Sequence, residues 1–216
     1  MSKIKMLFCS LLCLNLAFAQ VQNMKKDDFF KAVKESNIDK IQYFLEGGFD
    51  INAKDERGRN AILIATYKDD VKLVKFLYQN GGDVNDRDEN LNSAFLYAGA
   101  NGKLEILKII HKKAKVNSVF NRFGGNALIP ACEKGHFETA KFLLENTDIN
   151  VNHVNNLSWT ALLEVLILGD GSKKYVDITR LLLEHKADKN IKDNQGKTAI
   201  DYAKERGFKE IEKLFR

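Results

Sequence analysis

Cysteine is scarce in this sequence. Of its three cysteines, Cys9 and Cys13 lie in the first stretch of the chain, so a body without that stretch keeps only Cys132. A disulfide framework is thereby excluded, and stability has to come from packing. Long apolar runs are missing too: nothing beyond the N-terminus approaches the roughly 20 residues needed to cross a bilayer. No basic block stands out either. Lys, Arg, Asp and Glu interleave throughout, whereas a nucleic-acid binder concentrates its charge on one stripe. The four histidines, His111, His136, His153 and His185, show no HxxxH or HxH spacing and no accompanying zinc-ligand cluster. Neither a metal nor any other cofactor is expected.

What the N-terminus does hold reads as an address. Lys3 and Lys5 precede a short apolar run, Met6 to Leu16, and Ala17-Phe18-Ala19 places small residues where a signal peptidase needs them. Residues 1–19 are therefore expected to be a cleavable signal peptide and Gln20 the mature N-terminus, placing the protein in the periplasm or outside the cell. Phe8 and Leu12 stand before the two leader cysteines where a lipid-anchored leader would carry small residues. Loss of Lys3 and Lys5 takes the net charge from +5 to +3 (5 − 2), because the leader contains no acid. The mature chain, residues 20–216, is expected to form one domain with no membrane insertion.

Self-similarity organises that domain. A short polar residue before an Ala-plus-apolar pair recurs at Asp27, Asn60, Ser93, Asn126, Thr160 and Thr198, with spacings of 33, 33, 33, 34 and 38. All six are good N-cap residues, with an oxygen to accept the unpaired amides of a first helical turn. Ala61, Ala94, Ala127, Ala161 and Ala199 follow five of them, and alanine is the best helix former. Small residues return further on, at Ala32, Ala65, Ala98, Ala131, Val165 and Ala203, where they allow close helix approach. Second helices are expected to bury a stripe spaced i, i+3, i+6: Val71, Val74, Leu77; Leu104, Leu107, Ile110; Phe137, Ala140, Leu143.

This pattern resembles the ankyrin repeat, whose period is about 33 residues. One unit carries Asp55, Gly58, Asn60, Ala61 and Ala65 and closes on Gly82-Asp83-Val84-Asn85. Another carries Asn121, Gly124, Asn126, Ala127, Leu128 and Ala131, then Gly135-His136; the last has Asp193, Gly196, Thr198, Ala199 and Ala203, then Gly207. The resemblance covers essentially all of residues 24–216. It implies an all-α solenoid of about six helix-turn-helix repeats with β-hairpin-like loops, near residues 24–54, 55–87, 88–120, 121–154, 155–192 and 193–216. The segment Trp159-Thr160-Ala161-Leu162-Leu163-Glu164 also looks like one found in exported bacterial ankyrin proteins.

Departures from the pattern are expected to be local. Pro130, the only proline, falls in the first turn of a first helix, where its missing N–H is tolerated. An insertion of about five residues, Gly169 to Tyr175, reads as a loop between two helices and as a candidate contact site. It lacks the G-K-[ST] ending of a phosphate-binding loop. An extra residue is placed at Asn150-Val151-Asn152-His153. The run Asp86 to Asn90 resembles the start of a calcium loop, yet Leu91 and Tyr97 stand where a Gly and a Glu are required. Cys132, in register with Thr66 and Gly99, is expected to be a packed, inert thiol. No pair of carboxylates stands out by spacing.

Ankyrin stacks grip other proteins on a concave side formed by loop tips and first helices. Carried onto this sequence, the resemblance implies contacts at Arg57, Arg59, Tyr67, Lys68, Asn90, Asn101, Arg122, Phe123, Lys134 and Trp159. Arg57, Arg59, Arg122, Phe123 and Trp159 are expected to share one mixed aromatic-basic surface, of the kind enriched in hot spots. The expected function is a monomeric, non-catalytic scaffold that binds another protein. Two narrower forms are an inhibitor or immunity protein for an envelope toxin or hydrolase, and a helper in oxidative-stress defence; an enzyme is the alternative of a different class. Fold likeness alone names no partner.

Overall fold

The computed structural model describes residues 25–216; the expected leader, with Cys9 and Cys13, lies outside the described residues. Helices come in pairs: α1 (25–34) and α2 (Ile38–Glu46), α3 (Ala61–Tyr67) and α4 (Val71–Gln79), α5 (Ala94–Ala100) and α6 (Leu104–Ile110). They continue as α7 (Leu128–Glu133) and α8 (Phe137–Asn146), α9 (Ala161–Leu168) and α10 (Lys173–Glu184), α11 (Ala199–Glu205) and α12 (Lys209–Glu212). From α3 onward, first helices pack on first helices and second helices on second helices, which makes two layers. Each pair can bury its apolar face only against its neighbours. Among the described residues there is no strand and no helix long and apolar enough to cross a membrane.

Caps explain where the first helices begin. Asn60 Oδ1 accepts the Leu63 amide at 3.0 Å, and the Ser93 and Thr160 hydroxyls accept those of Leu96 and Leu163 at 3.2 Å. Thr198 works with Asp201, whose carboxylate accepts both the Thr198 amide and its hydroxyl, at 2.9 and 2.6 Å. Asn126 accepts from Leu128 and Ile129 at 3.2 and 3.4 Å, and α7 starts one residue later than its counterparts. Pro130 is then its third residue, where no intrahelical donor is lost. Asp27 departs from expectation: it lies within α1, and residues 25 and 26 before it are already helical.

The loops are cages built on one side chain each. In Asp55, Asp88, Asn121, Asn155 and Asp193 one oxygen accepts two amides, from the second and fourth residues that follow, at 2.8–3.0 Å. Such local bonding is why Asp and Asn are favoured in turns. Asp88, the acid of the calcium-like run, is thereby occupied by Asn90 and Asn92, and its other oxygen receives the Tyr67 hydroxyl.

Asparagine also ties successive repeats together. Asn52 donates to the Gly81 carbonyl and accepts from the Asp83 amide; Asn85 does the same with Lys113 and Lys115, Asn117 with Asp148 and Asn150, and Asn152 with Lys186 and Asp188. A side-chain amide carries a donor and an acceptor side by side, so one residue satisfies two backbone groups of the next loop. At about 0.5–1.5 kcal/mol per hydrogen bond, the four brackets are a substantial part of what holds neighbouring repeats in register.

Three details correct the expectation. Second helices bury positions i, i+1 and i+4 (Leu73, Val74, Leu77; Ile106, Leu107, Ile110; Thr139, Ala140, Leu143), while Val71 is 38% exposed. Val71 stands at the helix start, beyond the reach of the neighbouring repeat. The insertion is not a long loop: only Gly169 to Ser172 connect the helices, and Lys173, Lys174 and Tyr175 form the first turn of α10. Tyr175 is buried, and its hydroxyl donates to the Glu133 carbonyl at 2.8 Å, which anchors the added turn to the previous repeat. Residues 150–153 hold no extra residue relative to 83–86, since Asn152 makes the bracket that Asn85 makes; the added residue lies upstream, with the ten-residue α8. His153 lies over the Phe120 ring, 4.5 Å between centroids, and its Nε2 is 2.6 Å from the Gly124 carbonyl.

A candidate partner site over Pro130

The residue four places beyond the cap holds the same register position in each first helix, buried in some repeats and half-buried in others, and its identity shapes the face built by first helices and loop tips. In successive repeats it is Ile64, Tyr97, Pro130, Glu164 and Tyr202. Proline is the short member of that row. Over it, between Tyr97 and Glu164, lies a depression of about 420 Å³.

The tips of neighbouring loops are joined by a backbone hydrogen bond at some junctions and not at others. The Glu89 amide donates to the Arg57 carbonyl at 3.1 Å, and the Asn156 amide to the Phe123 carbonyl at 2.9 Å. Among the described residues, Arg122 and Asn90, which hold the corresponding positions at the junction of the third and fourth repeats, make no such bond. Both line the depression.

Five of the ten expected contact residues meet here: Asn90, Asn101, Arg122, Phe123 and Lys134. Phe123 is 50% exposed, with the Arg122 guanidinium 4.8 Å from its ring centre, and Lys134 donates to Asn101 Oδ1 at 3.3 Å. The other five are not part of it. Arg57 and Arg59 line a separate, more polar depression with Lys26, Lys31 and Lys34. The Arg59 guanidinium is already engaged by Asp55, at 2.6 and 2.8 Å. Tyr67 is half-buried against Tyr97, and the Lys68 ammonium donates to the Lys34 carbonyl and the Ser36 hydroxyl of the first repeat. Trp159 is half-buried and packs on the core. The five residues Arg57, Arg59, Arg122, Phe123 and Trp159 are therefore divided: Arg59 is held by Asp55 and Trp159 by packing, and Arg57 lines the other depression.

The floor carries a pair of acids that spacing in the sequence did not reveal. Glu164 is 6% exposed; one of its oxygens accepts from Asn155 Nδ2 at 2.9 Å. Burial, with repulsion from Glu133 of α7, pushes its pKa up to about 7, against the hydrogen bond from Asn155. In the sixth repeat the same two places are held by Asp193 and Tyr202, whose hydroxyl donates to the acid. Donor and acceptor have changed sides, and this reciprocal exchange is a signal the sequence contained. Cys132 lies beneath, fully buried, its thiol pKa raised by desolvation and by Glu164. Among the described residues, no group of three or more His, Cys, Asp or Glu is gathered to hold a metal.

The chain matches the family model of ankyrin repeats over residues 29–119 and 95–193. A protein of Escherichia coli (strain K12) named as an ankyrin repeat protein, YahD, is 43% identical over 87% of this chain and 93% of its own length. An ankyrin repeat-containing protein of Treponema pallidum (strain Nichols) is 26% identical over 83% of this chain and 47% of its own length. Among solved structures, the ankyrin repeat protein EF0377 superposes with a TM-score of 0.83 and 38% identity, covering 87% of this chain and 96% of its own. An ankyrin repeat domain from Acinetobacter baumannii AYE has a TM-score of 0.83 and 42% identity, covering 86% and 94%.

Proposed function

Since this chain belongs to the ankyrin-repeat family, we propose that it is a monomeric, non-catalytic scaffold that grips another protein over the depression above Pro130. Ankyrin repeats generally bind other proteins, which is the coarser ground of this reading. The observation that carries the finer one is the exposed Phe123 beside Arg122 on the rim of a depression whose lining includes Asn90, Asn92 and Asn101. An aromatic anchor next to an arginine, ringed by polar groups, is the composition of an interface hot spot.

Phe123→Ala should weaken capture of a partner at least tenfold, the loss of about 1.4 kcal/mol or more that a hot-spot residue brings. Its melting temperature should stay near that of the unmutated protein, since the ring is half in solvent. Trp159→Ala should instead lower the melting temperature clearly, because that side chain packs on the core. Equal binding by Phe123→Ala would move the site elsewhere. A carboxyl titrating near neutrality beside a second acid also suits proton transfer, so turnover by the pure protein would overturn the scaffold reading.

We further propose export to the periplasm or beyond, supported by Lys3, Lys5, the apolar run and Ala17-Phe18-Ala19. Intact mass of the protein recovered from its source should correspond to a chain starting at Gln20. A mass that retains residues 1–19 would refute cleavage.

A further inference from the structure

Glu164 holds a charge-bearing group in an environment that disfavours the charge. Its Oε1 is satisfied by Asn155, while the other oxygen has no hydrogen-bond partner among the described residues and is not sealed from solvent. Glu133 beside it is half-buried and makes no ion pair among the described residues. The nearby cations are used differently: Arg122 lies over the Phe123 ring, and Lys134 bonds to Asn101. No cation counts among the groups that set the Glu164 pKa. The depression thus holds two acids that make no ion pair among the described residues, with Arg122 and Lys134 elsewhere in its lining, Tyr97 as a wall and an opening above Pro130.

We infer that the depression over Pro130 is a specificity pocket for a lysine or arginine side chain presented by the partner protein, its cationic head set against Glu133 and Glu164 beside the Tyr97 ring. This rests on the reading of the same face as the partner site. The unpaired Glu164 oxygen, with Glu133 beside it, selects the occupant. A long aliphatic stem passes Phe123 at the rim, and the head then meets both carboxylates. A charge-assisted hydrogen bond to the free oxygen of Glu164 is about twice as strong as a neutral one. An aromatic wall adds attraction for a cation where water is partly excluded. An acidic or neutral side chain would leave the two carboxylates without an ion-pair partner.

The probe is N-acetyl-arginine amide, compared with N-acetyl-citrulline amide, its neutral isostere, and followed by carbon NMR of the glutamate carboxyls. The arginine compound should bind saturably and at least tenfold tighter than the citrulline one, a difference of about 1.4 kcal/mol. Shifts should appear at Glu133 and Glu164. Glu164→Gln keeps the acceptor for Asn155 and should erase the preference without unfolding the chain. Equal binding of the two compounds, or arginine-induced shifts that bypass both glutamates, would overturn the inference. A protein partner that needs Phe123 but is indifferent to Glu164→Gln would also overturn it, yet leave the scaffold reading intact. Arginine selectivity at Glu164, with a partner that ignores Phe123, would do the reverse.

Discussion

Gly99→Leu is expected to destabilise the stack by more than about 3 kcal/mol, the upper range for forcing bulk into a filled core. Gly99 sits in α5 where the next first helix comes closest. A Cβ placed on it would lie 2.7 Å from the Ala127 Cβ and 3.2 Å from the Ala127 carbonyl oxygen, inside normal contact. Even Gly99→Ala should lose about 1–2 kcal/mol, although alanine in a helix gains up to about 1 kcal/mol over glycine. Pairing it with Ala127→Gly removes the opposing methyl, so the double variant should recover most of the loss. For a domain of this length each kcal/mol is worth about 2–4 °C in melting temperature. The leucine variant should therefore melt roughly 10 °C lower or fail to fold, by the same scaling. A Gly99→Ala protein as stable as its parent would show that the two helices can separate at little cost, and the close approach would lose its significance.

Glu164→Gln should act in the opposite direction and only above acid pH. The folded carboxyl titrates at about 7 against an ordinary value of 4.5, because burial and Glu133 disfavour its ionised form. Below pH 4.5 it is protonated folded and unfolded alike, and it costs nothing. Between these values the unfolded chain ionises first, so stability falls as pH rises, and above about 7 the loss is complete. At about 1.36 kcal/mol per pKa unit, reduced because the carboxyl keeps some solvent contact, the penalty is on the order of 2–3 kcal/mol. Glutamine keeps the acceptor for Asn155 and carries no charge. Melting curves of the two proteins should coincide near pH 4 and differ by roughly 5–10 °C at pH 8, with the variant higher. Other carboxylates, such as Asp55 and Asp193, have pKa values lowered by their hydrogen bonds and shift both proteins equally. A gap between the curves that does not change with pH would disprove the assignment. The instability also has a functional reading, since a site that holds an unneutralised acid gains from any partner that brings a cation.

Much of the repeat was legible from local chemistry. Capping oxygens at Asn60, Ser93, Thr160 and Thr198 declare themselves by residue type, because a helix start needs an acceptor at that place. The caging Asp and Asn residues are equally readable, since each bonds within four residues of itself. Failures came where a neighbour decides. Asp27 has the right type at the right spacing, yet α1 already includes residues 25 and 26 and runs through it. Tyr175 looks like loop composition, yet burial of its ring and a bond to the Glu133 carbonyl extend α10 instead.

The candidate site divides along the same line. Phe123 and Arg122 were readable as tip residues, since they stand one and two places beyond the caging Asn121. Arg59, Tyr67 and Lys68 stand at equally plausible positions, but partners in Asp55, Asp88 and the first repeat occupy their polar groups. Glu133 and Glu164 come from different helices and 31 residues apart (164 − 133), so no spacing rule pairs them. Sequence alone determined the period, the caps and the loop cages, because those rest on contacts within a few residues of one chain segment. Only the stacking of α5, α7 and α9 decided that a short proline between Tyr97 and Glu164 leaves a depression, and that two acids share its floor: whether a side chain is free, buried or opposed depends on what the next repeat sets against it.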